Sequence, residues 1–298
     1  MGIKIREFKE HNYKGIHVNG KTIRIALDPT KPIDELVYPE FYDVKMEEFC
    51  DGRCPYCYVD SKHTDPHMKN IIEKFESFYG GMSDNEKPFQ IAFGGGEPTE
   101  HPQFIELMKL SHSMGIMPNY TTNGMWIRKS EEEQQAIIDV TKNYCGGVAL
   151  STHRHLKRFW IPAAEKFINN EIFTNLHIII GDKKSIDTFM AIYEKYSGKG
   201  MKYFVLLPLM ETGRAKNVKV DFEYLHKTLP DVMDDIAFGA NFYPFLCDYK
   251  HTGKYNVSLY EPEIMSGYLD LTDMKVYKSS FLQEIKTNIP EHLKALAI

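Results

Sequence analysis

Cysteine is scarce in this chain: five residues in 298, at Cys50, Cys54, Cys57, Cys145 and Cys247. An odd count, with three of them inside one short segment, is not a disulfide framework and reads as metal binding in a reducing compartment. No apolar run approaches the roughly 18 residues that a membrane-spanning helix needs. No block of about five or six like basic charges occurs. The formal net charge is -5 and the isoelectric point about 6.2, so a nucleic-acid partner is not expected. Met1 to Glu10 is charged and has no apolar core of the kind a signal peptide carries, so a cytoplasmic location is expected.

What is present is ordinary soluble-protein material, 43% hydrophobic and 26% charged. Short strands are expected between Gly2 and Leu27. Gly15–Val18 and Lys21–Ala26 flank Asn19-Gly20, a strong hairpin signal. A strand over Phe41–Glu48 leads into the cysteines. Strand and helix patterns then alternate. The expected helices are Met68–Tyr79, Phe104–Met114, Ser130–Tyr144, Pro162–Asn170 and Ser185–Tyr196. The expected strands are Phe89–Phe93, Ile116–Thr122, Gly147–Thr152, Phe173–Ile180 and Tyr203–Leu207. Six strands in that rhythm predict an α/β chain with parallel βαβ units: a partial (β/α)6 TIM-like barrel, short of the eight units of a closed one. The expected division is a hairpin region at 1–36, the barrel at 37–217 and an extension at 218–298 that closes the barrel or meets the substrate. In that extension a helix is expected over Phe222–Ile236, aromatic loops and hairpin strands from Phe242 to Tyr277, and a last helix over Phe281–Leu296. Functional residues belong at the C-terminal ends of the parallel strands.

The polar residues worth attention fall there. Cys50-Asp51-Gly52-Arg53-Cys54-Pro55-Tyr56-Cys57 follows the first barrel strand. Gly52 and Pro55 favour a curled loop that brings the thiolates together. A cubane cluster takes one ligand per iron, so three local thiolates leave one iron open. Two other readings fit the cysteines by themselves: structural zinc with His63 or His67 as fourth ligand, or an electron-transfer cluster with a distant fourth cysteine. Gly94-Gly95-Gly96-Glu97-Pro98 follows the next strand, where glycines permit close backbone approach and a carboxylate can take an ammonium.

The C-x3-C-x2-C spacing with Tyr56 before the last cysteine resembles the signature of the radical S-adenosylmethionine superfamily. Gly95-Gly96-Glu97-Pro98, one helix later, is similar to that family's Gly-Gly-Glu-Pro motif. The resemblance covers roughly Phe41 to Lys216. It implies a 4Fe-4S iron–sulfur cluster on Cys50, Cys54 and Cys57, with S-adenosylmethionine chelated by its amino and carboxylate groups at the open iron. One-electron cleavage then gives a 5′-deoxyadenosyl radical that takes a hydrogen atom from substrate. An electron donor such as flavodoxin or ferredoxin is implied. On the same resemblance Glu97 binds the methionyl amino group, Ser151 and His153 face the ribose and carboxylate, and backbone near Gly181 packs on adenine. Asn123, in Thr121-Thr122-Asn123-Gly124, either contacts cofactor or caps a turn. Arg214, in Gly213-Arg214-Ala215, resembles a residue of peptide-modifying members; it either holds a carboxylate or is a solvated loop arginine. His155 is expected at the surface.

The chain departs from those peptide-modifying members in lacking a cysteine-rich C-terminal extension, so no auxiliary cluster is expected. Cys247 or Cys145 is offered as a hydrogen-atom donor, since some peptide epimerases of the superfamily use a cysteine so. The function expected is modification or epimerisation of a peptide or protein side chain. The alternatives are a nucleoside or small-metabolite substrate, and a non-catalytic zinc or iron–sulfur module.

Overall fold

Residues 2–18, 20–231, 234–255, 262–281 and 285–286 are described by a computed structural model. The chain opens with three antiparallel strands, β1 (Lys4–Phe8), β2 (Tyr13–Val18) and β3 (Lys21–Ala26). Strands β2 and β3 pair as the expected hairpin does, with Val18 opposite Lys21, and Gly20 adopts a positive φ; Asn19 of the expected turn lies outside the described residues. One buried side chain ties this sheet to the rest. Arg6, 1% exposed, donates to the carbonyls of Tyr38, Pro39, Asn85 and Glu86 at 2.7–3.2 Å. Glu40 adds a second tie by accepting from Tyr13 at 2.7 Å and pairing with Arg24.

Six strands then alternate with helices: β4 (Phe41–Glu47), α1 (Ile71–Tyr79), β5 (Gln90–Gly95), α2 (Phe104–Ser113), β6 (Met117–Thr122), α3 (Glu131–Tyr144), β7 (Gly147–Ser151), α4 (Lys157–Asn169), β8 (Thr174–Ile180), α5 (Lys183–Tyr196) and β9 (Tyr203–Pro208). Each strand pairs in parallel with the next. This is the partial TIM-like barrel that the alternation predicts. Period-2 alternation sorts the side chains. On β4, Tyr42 packs edge-on against Phe78 and Tyr79 of α1, while Asp43 opens into the lumen. The expected capping box forms at Ser130 and Glu133 and starts α3.

Three expectations need correction. Helix α4 begins at Lys157 and carries Pro162 inside it; burial of Trp160, Ala163, Ala164 and Phe167 outweighs the local cost of proline. The helix expected over Phe222–Ile236 is α6 (Phe222–Thr228) only, because Pro230 disfavours helix at Leu229, and Ile236 instead starts β10 (Ile236–Phe238). The aromatic segment from Phe242 to Tyr277 includes a short helix, α7 (Tyr243–Asp248), and its hairpin strands, β11 (Ser266–Asp270) and β12 (Lys275–Tyr277), enter the barrel sheet. Strand β11 pairs in parallel with β4, giving the order β10-β9-β8-β7-β6-β5-β4-β11-β12. Strands β11 and β12 therefore extend the barrel sheet beyond β4. Most of the helix expected over Phe281–Leu296 lies outside the described residues. No helix among the described residues is long and apolar enough to cross a membrane.

Replacing Arg6 with Met strips four carbonyls of their donor, and should lower unfolding free energy by about 2–3 kcal/mol. A urea titration checks this; a loss below roughly 0.5 kcal/mol, the scatter of neutral surface changes, counts against the tie.

Candidate functional site

The strand ends of β4 to β9 surround one cavity of about 280 Å³. Its wall includes Cys50, Cys54 and Cys57, Tyr56, the turn Gly94–Glu97, Asn123, Ser151 and His153. Residues far apart in the chain thus meet where parallel strands terminate, as the sequence predicts for a barrel of this kind.

The cysteine loop is held from several sides. The Gly96 and Glu97 N–H groups donate to the carbonyls of Glu47 and Phe49 at 2.7 and 2.8 Å, which clips the glycine turn onto the start of the loop. A Cβ on Gly96 would overlap the Phe49 carbonyl, so glycine is required there by the loop's own backbone. Asn123 donates from Nδ2 to Asp51 at 3.2 Å, and its N–H donates to Glu97 at 2.8 Å. Arg128 pairs with Asp51. The His155 ring approaches the Gly52 carbonyl at 2.9 Å. His155 is exposed, as expected, but it contacts the loop.

Arg214 corrects its expectation. Its guanidinium donates to the Cys54 carbonyl at 2.8 Å, the Ser61 carbonyl at 2.8 Å and Asp60 at 2.9 Å, and its own N–H donates to the Cys57 carbonyl at 3.0 Å. It is neither a solvated loop residue nor aimed at a ligand carboxylate; it clamps the segment that bears the cysteines. A Cβ on Gly213 would overlap the Cys57 carbonyl, which explains glycine before that arginine.

Electrostatics set what the loop can hold. All five cysteines are free. Burial, with Cys57 as a secondary cause, pushes the Cys54 thiol up to about 12. Burial and then Glu97 push Cys50 higher still. Thiolates there need a cationic centre, and the arrangement fits a metal group that would supply one. Among the described residues no three His, Cys, Asp or Glu side chains are gathered closely enough for a single ion. The zinc reading takes His63 or His67 as fourth ligand. His67 is engaged elsewhere, its Nδ1 lying 2.8 Å from Glu47, and His63 is exposed. Buried Glu47 is pushed up to about 9 by burial first and then by Glu97 and Glu100, so it is neutral at pH 7 and adds no negative charge beneath the cysteines.

Glu97 is 2% exposed. Its Oε1 accepts from the Thr99 N–H at 3.3 Å and from the Thr99 and Thr122 hydroxyls at 2.6 Å, and its Oε2 accepts from Asn123 at 2.8 Å. A carboxylate offers about four lone-pair positions, so its remaining capacity lies on Oε2. Burial pushes it up to about 7 against the pull of those hydrogen bonds. His153 lies with Nδ1 3.3 Å from the Tyr56 hydroxyl, and burial, then His155, lowers it to about 4, which keeps the ring neutral.

Besides Arg214, four expected residues stand apart from the cavity wall. Pro98 is buried at the start of a short 3-10 helix, Pro98–Glu100. Gly181 follows β8 and donates to the Ser185 hydroxyl at 2.8 Å. Cys145 caps α3 just before β7, at the barrel end opposite the strand C-termini, and Cys247 sits on α7. Neither thiol lines the cavity, so the hydrogen-donor role proposed for them is not supported by their positions. Sequence reasoning missed Asp43, Tyr58, His177, Tyr268 and Phe281, all in the cavity wall. Strand periodicity places Asp43 and His177 on the inward face once the pairing is known; Tyr268 arrives through the pairing of β11 with β4, and Phe281 by packing on Tyr58.

No family model matches the sequence, and no curated protein matches it. The fold has solved counterparts. The structure of Streptococcus suis SuiB bound to the precursor peptide SuiA matches with TM-score 0.67 at 15% identity, over 89% of this chain and 66% of that one. SuiB bound to S-adenosylmethionine matches with TM-score 0.64 at 14% identity, over 82% of this chain and 61% of that one. The shared property at such identity is the fold, and this chain spans about two thirds of SuiB's length.

Gly96→Ala should force the turn off the loop and destabilise the protein by about 1–3 kcal/mol, the usual cost of overpacking. Thermal unfolding measures it, and an unchanged midpoint would contradict the contact described.

Proposed function

We propose that this protein is a radical S-adenosylmethionine enzyme acting on a peptide or protein side chain. The observation that carries the reading is the meeting of Cys50, Cys54 and Cys57 with the Gly94–Glu97 turn in one cavity at the strand C-termini. Cys50, Cys54 and Cys57 would hold a 4Fe-4S cluster, which would supply one-electron reductive cleavage of S-adenosylmethionine to methionine and a 5′-deoxyadenosyl radical, the electron coming from an external reductant. The open position on Glu97 Oε2 would take the methionyl ammonium, with the carboxylate held in place by Thr99, Thr122 and Asn123. Ser151 and neutral His153 offer hydrogen-bonding groups on the next strand end. The fold likeness to SuiB, a protein seen with S-adenosylmethionine and with a precursor peptide, supports both cofactor and substrate class.

Arg214 acts as a positioning residue, through the carbonyls of Cys54, Cys57 and Ser61. Anaerobic reconstitution with iron and sulfide, followed by S-adenosylmethionine and a strong reductant, should yield 5′-deoxyadenosine with the native protein and none with Cys54→Ala. An intact cluster that never cleaves the sulfonium would sink the proposal. Arg214→Ala should weaken cluster retention about tenfold or more, as lost outer-shell partners do, with partial rescue by Arg214→Lys. Iron release to a chelator reads this directly; retention equal to the native protein would remove Arg214 from the loop's support.

A further inference from the structure

We propose that Asp43 is the recognition group for a cationic substrate side chain, a primary amine or guanidinium on an aliphatic stem. The inference rests on the reading of the cavity as a peptide-modifying site and names what that site takes.

The pairing of strands sets the argument. Register places Lys45 of β4 against Asp270 of β11, and Asp43 against Tyr268. Lys45 is held by Asp270 at 2.9 Å and Glu48 at 3.0 Å. The carboxylate of Asp43, two residues earlier on the same strand face, makes no hydrogen bond or ion pair with any described residue. Its other neighbour in register, Ala92 of β5, is uncharged and short, which leaves open space beside the carboxylate. Asp43 is open to the lumen's solvent yet walled in by protein. That enclosure pushes its carboxyl up to about 6, so at pH 7 it is an anion without a counter-ion.

No described group in the lumen supplies the missing charge. His177, across the cavity, is lowered to about 4 by burial and is neutral. Arg214 is committed to the cysteine loop. What surrounds Asp43 suits a cation with an apolar stem. Tyr58 and Tyr268 lie within electrostatic reach of the carboxylate, and both phenols are held neutral, chiefly by burial. Tyr58 packs on Phe281 with ring centroids 4.9 Å apart. Aromatic faces attract cations, and Ile179 and Leu207 offer apolar surface for methylenes. An incoming ammonium or guanidinium would find a charge-assisted acceptor facing the lumen, while a neutral side chain would leave that carboxylate unpaired.

The test is binding, read by calorimetry on the anaerobically reconstituted protein with S-adenosylmethionine present. The probes are N-acetyl-lysine amide, N-acetyl-arginine amide and N-acetyl-norleucine amide. One of the cationic probes should bind at least about tenfold more tightly than the norleucine probe, the worth of one charged hydrogen bond. Asp43→Asn should erase that preference without changing the melting temperature. Equal binding of the three probes by the native protein overturns the inference, as does a preference that survives in Asp43→Asn. If the variant does not fold, the native comparison decides alone. Release of 5′-deoxyadenosine, measured on the same preparation, separates the two ideas. An Asp43-dependent preference without cleavage keeps this site and discards the radical reading; cleavage without preference does the reverse.

Discussion

Two backbone hydrogen bonds, from Gly96 and Glu97 to the carbonyls of Glu47 and Phe49, join the end of the second barrel strand to the loop that follows the first. The rest of the site depends on that junction. It sets where the cysteine loop leaves β4, and it brings Glu97 to Thr122 and Asn123 at the end of β6. The contact is so close that Gly96 tolerates no side chain. Loop and turn behave as one unit, and the C-terminal clamp through Gly213 and Arg214 closes the same unit from the far side.

The electrostatic character of the cavity follows from burial. Thiols at Cys50 and Cys54 are pushed up, Glu47 and Glu97 are pushed up, and His153 and His177 are pushed down. Every one of these shifts favours the neutral form, because an enclosed lumen penalises isolated charge. Such a site would stabilise a group that brings positive charge into it, which in the proposed reading is a metal group among the thiols and a cation beside Asp43.

The alternation of strands and helices from Phe41 to Pro208 was visible in the sequence because each element carries its own period and its own stops. Where local signals conflict with burial, they mislead. Pro162 reads as a helix start but lies inside α4, since four apolar neighbours pack on one face. Roles in the site divide in the same way. Cys50, Cys54, Cys57 and Glu97 are readable because their spacing is local. Arg214 and His155 act on the cysteine loop across more than a hundred residues of chain, and no local pattern encodes such a contact. Cys145 and Cys247 show the opposite error: a reactive residue type without a position in the cavity.

The sequence by itself determined the barrel class, the cysteine loop and the order of motifs along the strand ends, because these rest on periodicity and short-range turn chemistry. Tertiary structure alone decided the remainder of the wall. The C-terminal hairpin could have lain anywhere until β11 paired with β4, which set Tyr268 opposite Asp43 and Asp270 opposite Lys45. That register neutralises one charge on β4 and leaves its neighbour unmatched. A strand's partner is chosen by the whole sheet, and a single strand's residues do not reveal it.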